Sequence, residues 1–140
     1  MNPREQYRRT RIMTASPGEL LIMLYDGALT RVRKAYKTSE DGNWAEAGAA
    51  IVRAQEIIYE LIACLKRDKN PELVDNLAGL YVYCIDLLSD TTRTQNRDLL
   101  VEIEGLLAPL RDAWVEAEKQ LKMPNFDQIF QIWPRPPLRI

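Results

Sequence analysis

A chain of 140 residues, 46% of them hydrophobic and 28% charged, with a formal net charge of -1, suffices for one domain with its own core and offers no global field to a polyanion or an anionic membrane. The sequence has no histidine, which removes the commonest general base and metal ligand and closes a di-iron bundle built on Glu-x-x-His pairs. Its longest apolar run, residues 20–25, is too short to span a bilayer, and its polar, basic start has no apolar signal region, so a cytoplasmic location without membrane insertion is expected.

Residues 1–16 read as a flexible leader. Arg4, Arg8, Arg9 and Arg11 make it basic, but without interleaved aromatics or a recognisable binding motif it is a poor nucleic-acid arm. The functional alternative to a solvated leader is a segment that covers and uncovers a groove, with Tyr7 and Ile12 as its anchors.

Residues 17–122 carry four helical segments. The first opens at Ser16-Pro17-Gly18-Glu19, where Ser16 caps the first turn, Pro17 loses nothing at the first helical position and Glu19 completes a capping box. Its stripe of Leu21, Leu24, Ala28 and Ala35 keeps to one side at period 3.6. The second follows Asp41-Gly42-Asn43, with Asn43 as cap, and its stripe is Ala47, Ile51, Ala54, Ile58, Leu61 and Leu65. The third starts at Asn70-Pro71 and continues through Leu73, Leu77, Leu80, Cys84 and Leu87. The fourth starts between Thr94 and Asn96, with Leu99, Ile103, Leu106, Leu110, Ala113 and Ala117 repeating in steps of four and three. Pro109 inside it predicts a kink or local break near Leu106. Cys64 and Cys84 fall in apolar-periodic positions and read as two small buried residues of a reducing compartment.

Short connections between rods of about 30 Å make neighbouring helices antiparallel. The expected fold is all-α: an antiparallel up-down-up-down four-helix bundle with a C-terminal extension packed on it. That extension, residues 123–140, is apolar and proline-rich. Phe126, Ile129, Phe130 and Trp133 would line one side of a short helix, and exposed they would form a sticky patch. Two readings stay open for it: a placeholder in a partner groove, in cis or in a neighbouring copy, or a permanent fifth structural element.

The first helix carries more apolar surface than one core face uses. Beside its main stripe run Ile22, Tyr25, Leu29, Val32 and Tyr36, whose mean direction lies roughly 90° away. The third helix similarly adds Val74, Tyr81, Ile85 and Leu88. A central helix needs a wide apolar arc; the alternative is a groove that a partner peptide fills, to which tyrosines are suited. Asp26 reads as a residue for helix packing or for hydrogen bonding a partner. Neither Asp26 nor Asp86 has a nucleophile or metal cluster beside it, so no catalytic set, metal or cofactor is expected.

Tyr7, then Thr14-Ala15-Ser16-Pro17, Glu19-Leu20-Leu21 and Met23-Leu24-Tyr25-Asp26-Gly27-Ala28, resembles the signature of the flagellar secretion chaperone family FliS. Ala54 with Ile57-Ile58 and Leu61, Leu77 with Leu80-Tyr81-Val82-Tyr83, and Leu110-Arg111 with Ala113-Trp114 are similar to that family's later helices, so the resemblance covers about residues 7–121. It implies a chaperone that binds the disordered C-terminal segment of flagellin in surface grooves, prevents its premature polymerisation and is recognised at the type III export gate. In some members of that family an N-terminal segment folds back over the client groove. The matched tyrosine, Tyr7, is associated in the family with recognition at the gate, where some members have an apolar residue at the position of Arg4. Pro109 and the tail from Pro124 depart from the family pattern. A self-associating helical adaptor of flagellar assembly, a homodimer through the same apolar surplus, is the competing expectation.

Overall fold

The computed structural model describes residues 2–119 and 129–131. Five helices follow in order: α1 Pro3–Thr14, α2 Pro17–Glu40, α3 Trp44–Ala63, α4 Pro71–Thr94 and α5 Asp98–Lys119. Among the described residues the remainder is loops, turns, the helical Ile129 and one isolated β-bridge between Leu65 and Phe130.

The helix starts follow from local chemistry. The Glu19 amide donates to Ser16 Oγ at 3.2 Å, with Pro17 opening α2. Asn43 and Glu46 satisfy each other: the Glu46 amide donates to Asn43 Oδ1 at 3.1 Å, and Asn43 Nδ2 donates to the Glu46 carboxylate at 3.0 Å. Asn70 caps α4 ahead of Pro71. Each cap satisfies an amide that a helix start leaves without an internal partner. Between α2 and α3, Gly42 sits at φ 78°, a left-handed conformation that glycine adopts without a steric penalty.

The structure differs from the sequence expectation in three places. Residues 3–14 form α1 where the sequence predicts a leader without regular structure. Asn2 accepts from the Glu5 amide at 2.8 Å and Pro3 occupies the first turn, the same start chemistry as α2. The last long helix begins at Asp98, because Gln95 turns left-handed at φ 54° and Asn96 Oδ1 accepts from the Asp98 amide at 3.1 Å. Helix α5 also runs through Pro109 without a break. Pro109 and Gly105 both lie on the exposed side, where water can take the Gly105 carbonyl that a proline amide cannot reach.

Helix α2 packs on both α3 and α5, and α4 also packs on both. Leu20, Leu21, Leu24, Ile51, Ile57, Ile58, Leu61, Leu88, Leu100 and Ile103 are fully buried in the resulting core. Each large apolar side chain so buried contributes roughly 1.5–3 kcal/mol relative to exposure. The polar links between α2 and α5 rise along one helix as they fall along the other: Ser16 with Glu118, Asp26 with Arg111, Arg33 with Glu104, Ser39 with Arg97. These two helices are therefore antiparallel.

The extension packs on the bundle where it is described. The Lys66 amide donates to the Ile129 carbonyl at 2.9 Å, and the Gln131 amide to the Cys64 carbonyl at 2.6 Å. Ile129 and Phe130 are buried, with the Phe130 ring edge-to-face on Trp114 at 5.8 Å. Of the predicted tail residues, Phe126 and Trp133 lie outside the described residues.

Candidate functional site

Among the described residues three grooves border α2. Between α2 and α5, Val32, Arg33, Tyr36, Leu100, Val101 and Glu104 line a cleft of about 230 Å³. Two of its exposed wall residues are apolar: Val101 is 55% exposed and Tyr36 39%. Arg97 holds Tyr36 in place. Its guanidinium lies 4.1 Å from the ring centroid, and the same group donates to the Tyr36 carbonyl at 3.1 Å and to Ser39 Oγ at 2.9 Å. A cation over the face of a tyrosine ring is attracted by the ring quadrupole. An ion pair between Arg33 and Glu104 crosses this cleft.

Between α1 and α2, a groove of about 260 Å³ is lined by α1 residues that include Arg4, Tyr7, Arg8 and Arg11, and by α2 residues that include Met23, Asp26, Gly27 and Arg31. Between α2 and α3, a third of about 400 Å³ is lined by Thr30, Arg31, Lys34, Glu46, Ala49, Ala50 and Arg53.

The residues predicted to bind a partner divide sharply by burial. Tyr7 is 71% exposed on α1 and Tyr36 stands at the α2/α5 cleft. Ile22 and Asp26 are half-buried. Tyr25, Leu29, Val32, Tyr81 and Ile85 are buried in the core, and Ile12 is the one residue of α1 buried there. A helix that packs on two neighbours needs an apolar arc wide enough for both, so the second stripe of α2 is largely buried in the core. Val32 still contributes to the floor of the α2/α5 cleft.

Tyr25 and Tyr81 meet inside the core, with hydroxyl oxygens 2.5 Å apart and rings in an edge contact at 6.3 Å. Burial pushes the Tyr25 phenol up to about 12, although the Tyr81 hydroxyl partly offsets it. Burial, reinforced by Tyr25, holds the Tyr81 phenol well above its ordinary range. Both phenols are therefore neutral donors and acceptors that fix the core. Asp26 is engaged by Arg111, whose Nε donates to Oδ1 at 2.7 Å and whose second nitrogen lies 3.4 Å from Oδ2. That fork clamps α2 to α5, and the hydrogen bond donated to Asp26 raises the Arg111 pKa.

Sequence reasoning missed Arg31, Lys34, Arg53, Arg97, Arg111 and Val101. Arg97 and Arg111 reach partners 58 to 85 positions away, a separation that no local pattern encodes. Val101 sits one position off the core stripe and reads as surface. Among the described residues no group of three or more His, Cys, Asp or Glu is placed to hold a metal. Among the described residues no helix is long and apolar enough to cross a membrane.

Residues 1–121 match the sequence family described as flagellar protein FliS. The chain is 34% identical over 116 residues to the flagellar secretion chaperone FliS of Bacillus subtilis, covering 83% of this chain and 86% of that one. It is 36% identical over 104 residues to the flagellar secretion chaperone FliS of Salmonella typhimurium, covering 74% and 77%. To the flagellar secretion chaperone FliS of Escherichia coli it is 31% identical over 107 residues, covering 76% and 79%.

Proposed function

This chain belongs to the FliS family, and from that premise we propose that it is a cytoplasmic chaperone of flagellar export whose client is the C-terminal segment of flagellin. The family membership carries the chaperone role. The client path is our own reading, supported by the α2/α5 cleft, whose apolar walls Tyr36 and Val101 remain exposed after the core is built.

The mechanism is coupled folding and binding. A disordered client loses ordering entropy and recovers free energy by burying apolar side chains in a preformed groove. Arg97 keeps the Tyr36 ring in one orientation, so that part of the surface is ordered before the client arrives. We read the four long helices as an up-down-up-down bundle, whose seams continue the cleft along the molecule. A client occupying those seams cannot use the same apolar side chains to polymerise. Tyr7, the most exposed large apolar residue, is assigned to recognition at the export gate, on α1 and away from the client cleft. Ile12 anchors α1, while Tyr25, Leu29, Val32, Tyr81 and Ile85 shape the grooves from beneath. Ile22 and Asp26 sit where a partner can reach them.

The tail is read as a placeholder for a stretch of client along the 64–66 turn and Trp114, where its main chain bonds to Cys64 and Lys66 and Phe130 is buried.

Calorimetric titration with the C-terminal segment of the same organism's flagellin tests the reading. One-to-one binding with a negative heat-capacity change, weakened by Val101→Asp, is expected. Absence of binding both to the full chain and to a chain lacking residues 124–140 overturns it. Binding only after that deletion identifies the tail as the guard of the groove.

A further inference from the structure

The chain as a whole is nearly neutral, yet its cations are not evenly spread. The α1/α2 groove and the α2/α3 groove share Thr30 and Arg31 in their walls, so they adjoin along one side of α2. Together they gather Arg4, Arg8, Arg11, Arg31, Lys34 and Arg53 against two carboxylates, Asp26 and Glu46. Asp26 is already taken by Arg111, which approaches from α5, Glu46 lies 3.8 Å from Lys34, and Arg53 pairs with Glu56 at 3.5 Å. Arg4, Arg8 and Arg11 form no ion pair among the described residues. The like charges act on one another: the Arg31 pKa is lowered first by burial and then by Arg53 and Arg8.

We propose that these two grooves form a single basic trough that docks an acidic peptide segment of a partner protein. The α1 arginines, concentrated with Arg31 in a concave surface, focus the field and attract a complementary anion. The arrangement favours a peptide over a nucleic acid. Gly27, Ala49 and Ala50 line the trough, and such small side chains admit a close-approaching main chain. Among the described residues Tyr7 is the only aromatic ring in its walls, whereas single-stranded nucleic acid is held by successive stacking platforms. The trough lies on the α1/α3 side of α2, and the client cleft proposed above lies on the α5 side, so the docking does not depend on the flagellin reading.

Arginine forks pair well with carboxylates, and the exposed members of the trough make the attraction sensitive to salt, since charges are screened over about 10 Å at 0.1 M ionic strength. The test is fluorescence anisotropy of the full chain with a short labelled peptide of alternating Glu and Leu. A Gln/Leu peptide of equal length and an oligothymidylate serve as comparisons. The Glu/Leu peptide should bind best, weaken as salt is added, and lose about tenfold in affinity to the chain carrying Arg4→Glu and Arg8→Glu. Both positions are exposed on α1, so the core is untouched. Arg53→Glu, on the far side of the trough, should weaken the same peptide independently. Equal binding of the Gln/Leu peptide, tighter binding of the oligothymidylate, or affinity unchanged by the charge reversals would overturn the proposal.

Discussion

Tyr25 and Tyr81 illustrate how much a single side chain depends on its surroundings. Both rings are fully buried, and each hydroxyl has the other within hydrogen-bonding distance. Tyr25→Phe strands the Tyr81 hydroxyl in the core, and an unpaired buried hydroxyl costs about 1–3 kcal/mol. Replacing both by Phe removes the pair without stranding either, so urea unfolding should show the double variant more stable than the sum of the two single losses. The same residues set an alkaline limit. Burial raises Tyr25 to about 12, Cys84 to about 12 and Cys64 to about 11, and drives Tyr81 upward as well. A raised folded-state pKa on a group that is neutral when protonated gives stability that is complete below the unfolded pKa. That stability is lost as pH rises toward the folded value. The unfolded thiols and phenols titrate from 9.0 and 10.0. Urea midpoints should therefore hold below pH 9 and fall between about 9 and 12, with less loss in the Tyr25→Phe/Tyr81→Phe chain.

At the scale of elements, capping residues marked three helix starts because caps are local: Ser16, Asn43 and Asn70 need only the amide three positions onward. Helix α1 has the same chemistry at Asn2-Pro3 but shows no apolar stripe, so its periodicity is silent. The tail is the opposite case. Its apolar residues are conspicuous, yet only contact with the 64–66 turn and Trp114 decides where Ile129 and Phe130 are buried. Phe130→Ala should cost roughly 3 kcal/mol in urea unfolding, the usual range for deleting a buried ring. Deletion of residues 124–140 should cost at least as much, because Ile129 leaves the core with it. A deletion that leaves the midpoint unchanged would mean the tail is not part of the folded unit.

At the scale of the molecule, α1 and the remaining helices carry different loads. Of α1, Ile12 alone is buried, so removal of residues 2–14 should lower stability by only about 1.5–3 kcal/mol and leave a single cooperative unfolding transition. Peptide binding in the basic trough should vanish with it, since α1 supplies one wall. The links between α2 and α5 behave differently. Asp26 and Arg111 are partly exposed, with side-chain accessibilities of 47% and 34%, so their ion pair contributes alignment more than energy.

The apolar periods and start residues by themselves determined that this chain is helical, where α2, α3 and α4 begin, and which stripes enter the core, because those features depend on neighbours within a turn or two. The motif from Thr14 to Ala28 by itself determined the family. The tertiary structure decided what remains for partners. It alone buried most of the second stripe of α2, with Tyr25, Leu29 and Val32 in the core and Tyr36 and Val101 left at the cleft. It alone brought Arg4, Arg8 and Arg11 beside Arg31, Lys34 and Arg53. The reason is physical: a helix presents the same side chains whatever packs on it, and only the angle and number of its neighbours determine which of them lose contact with water.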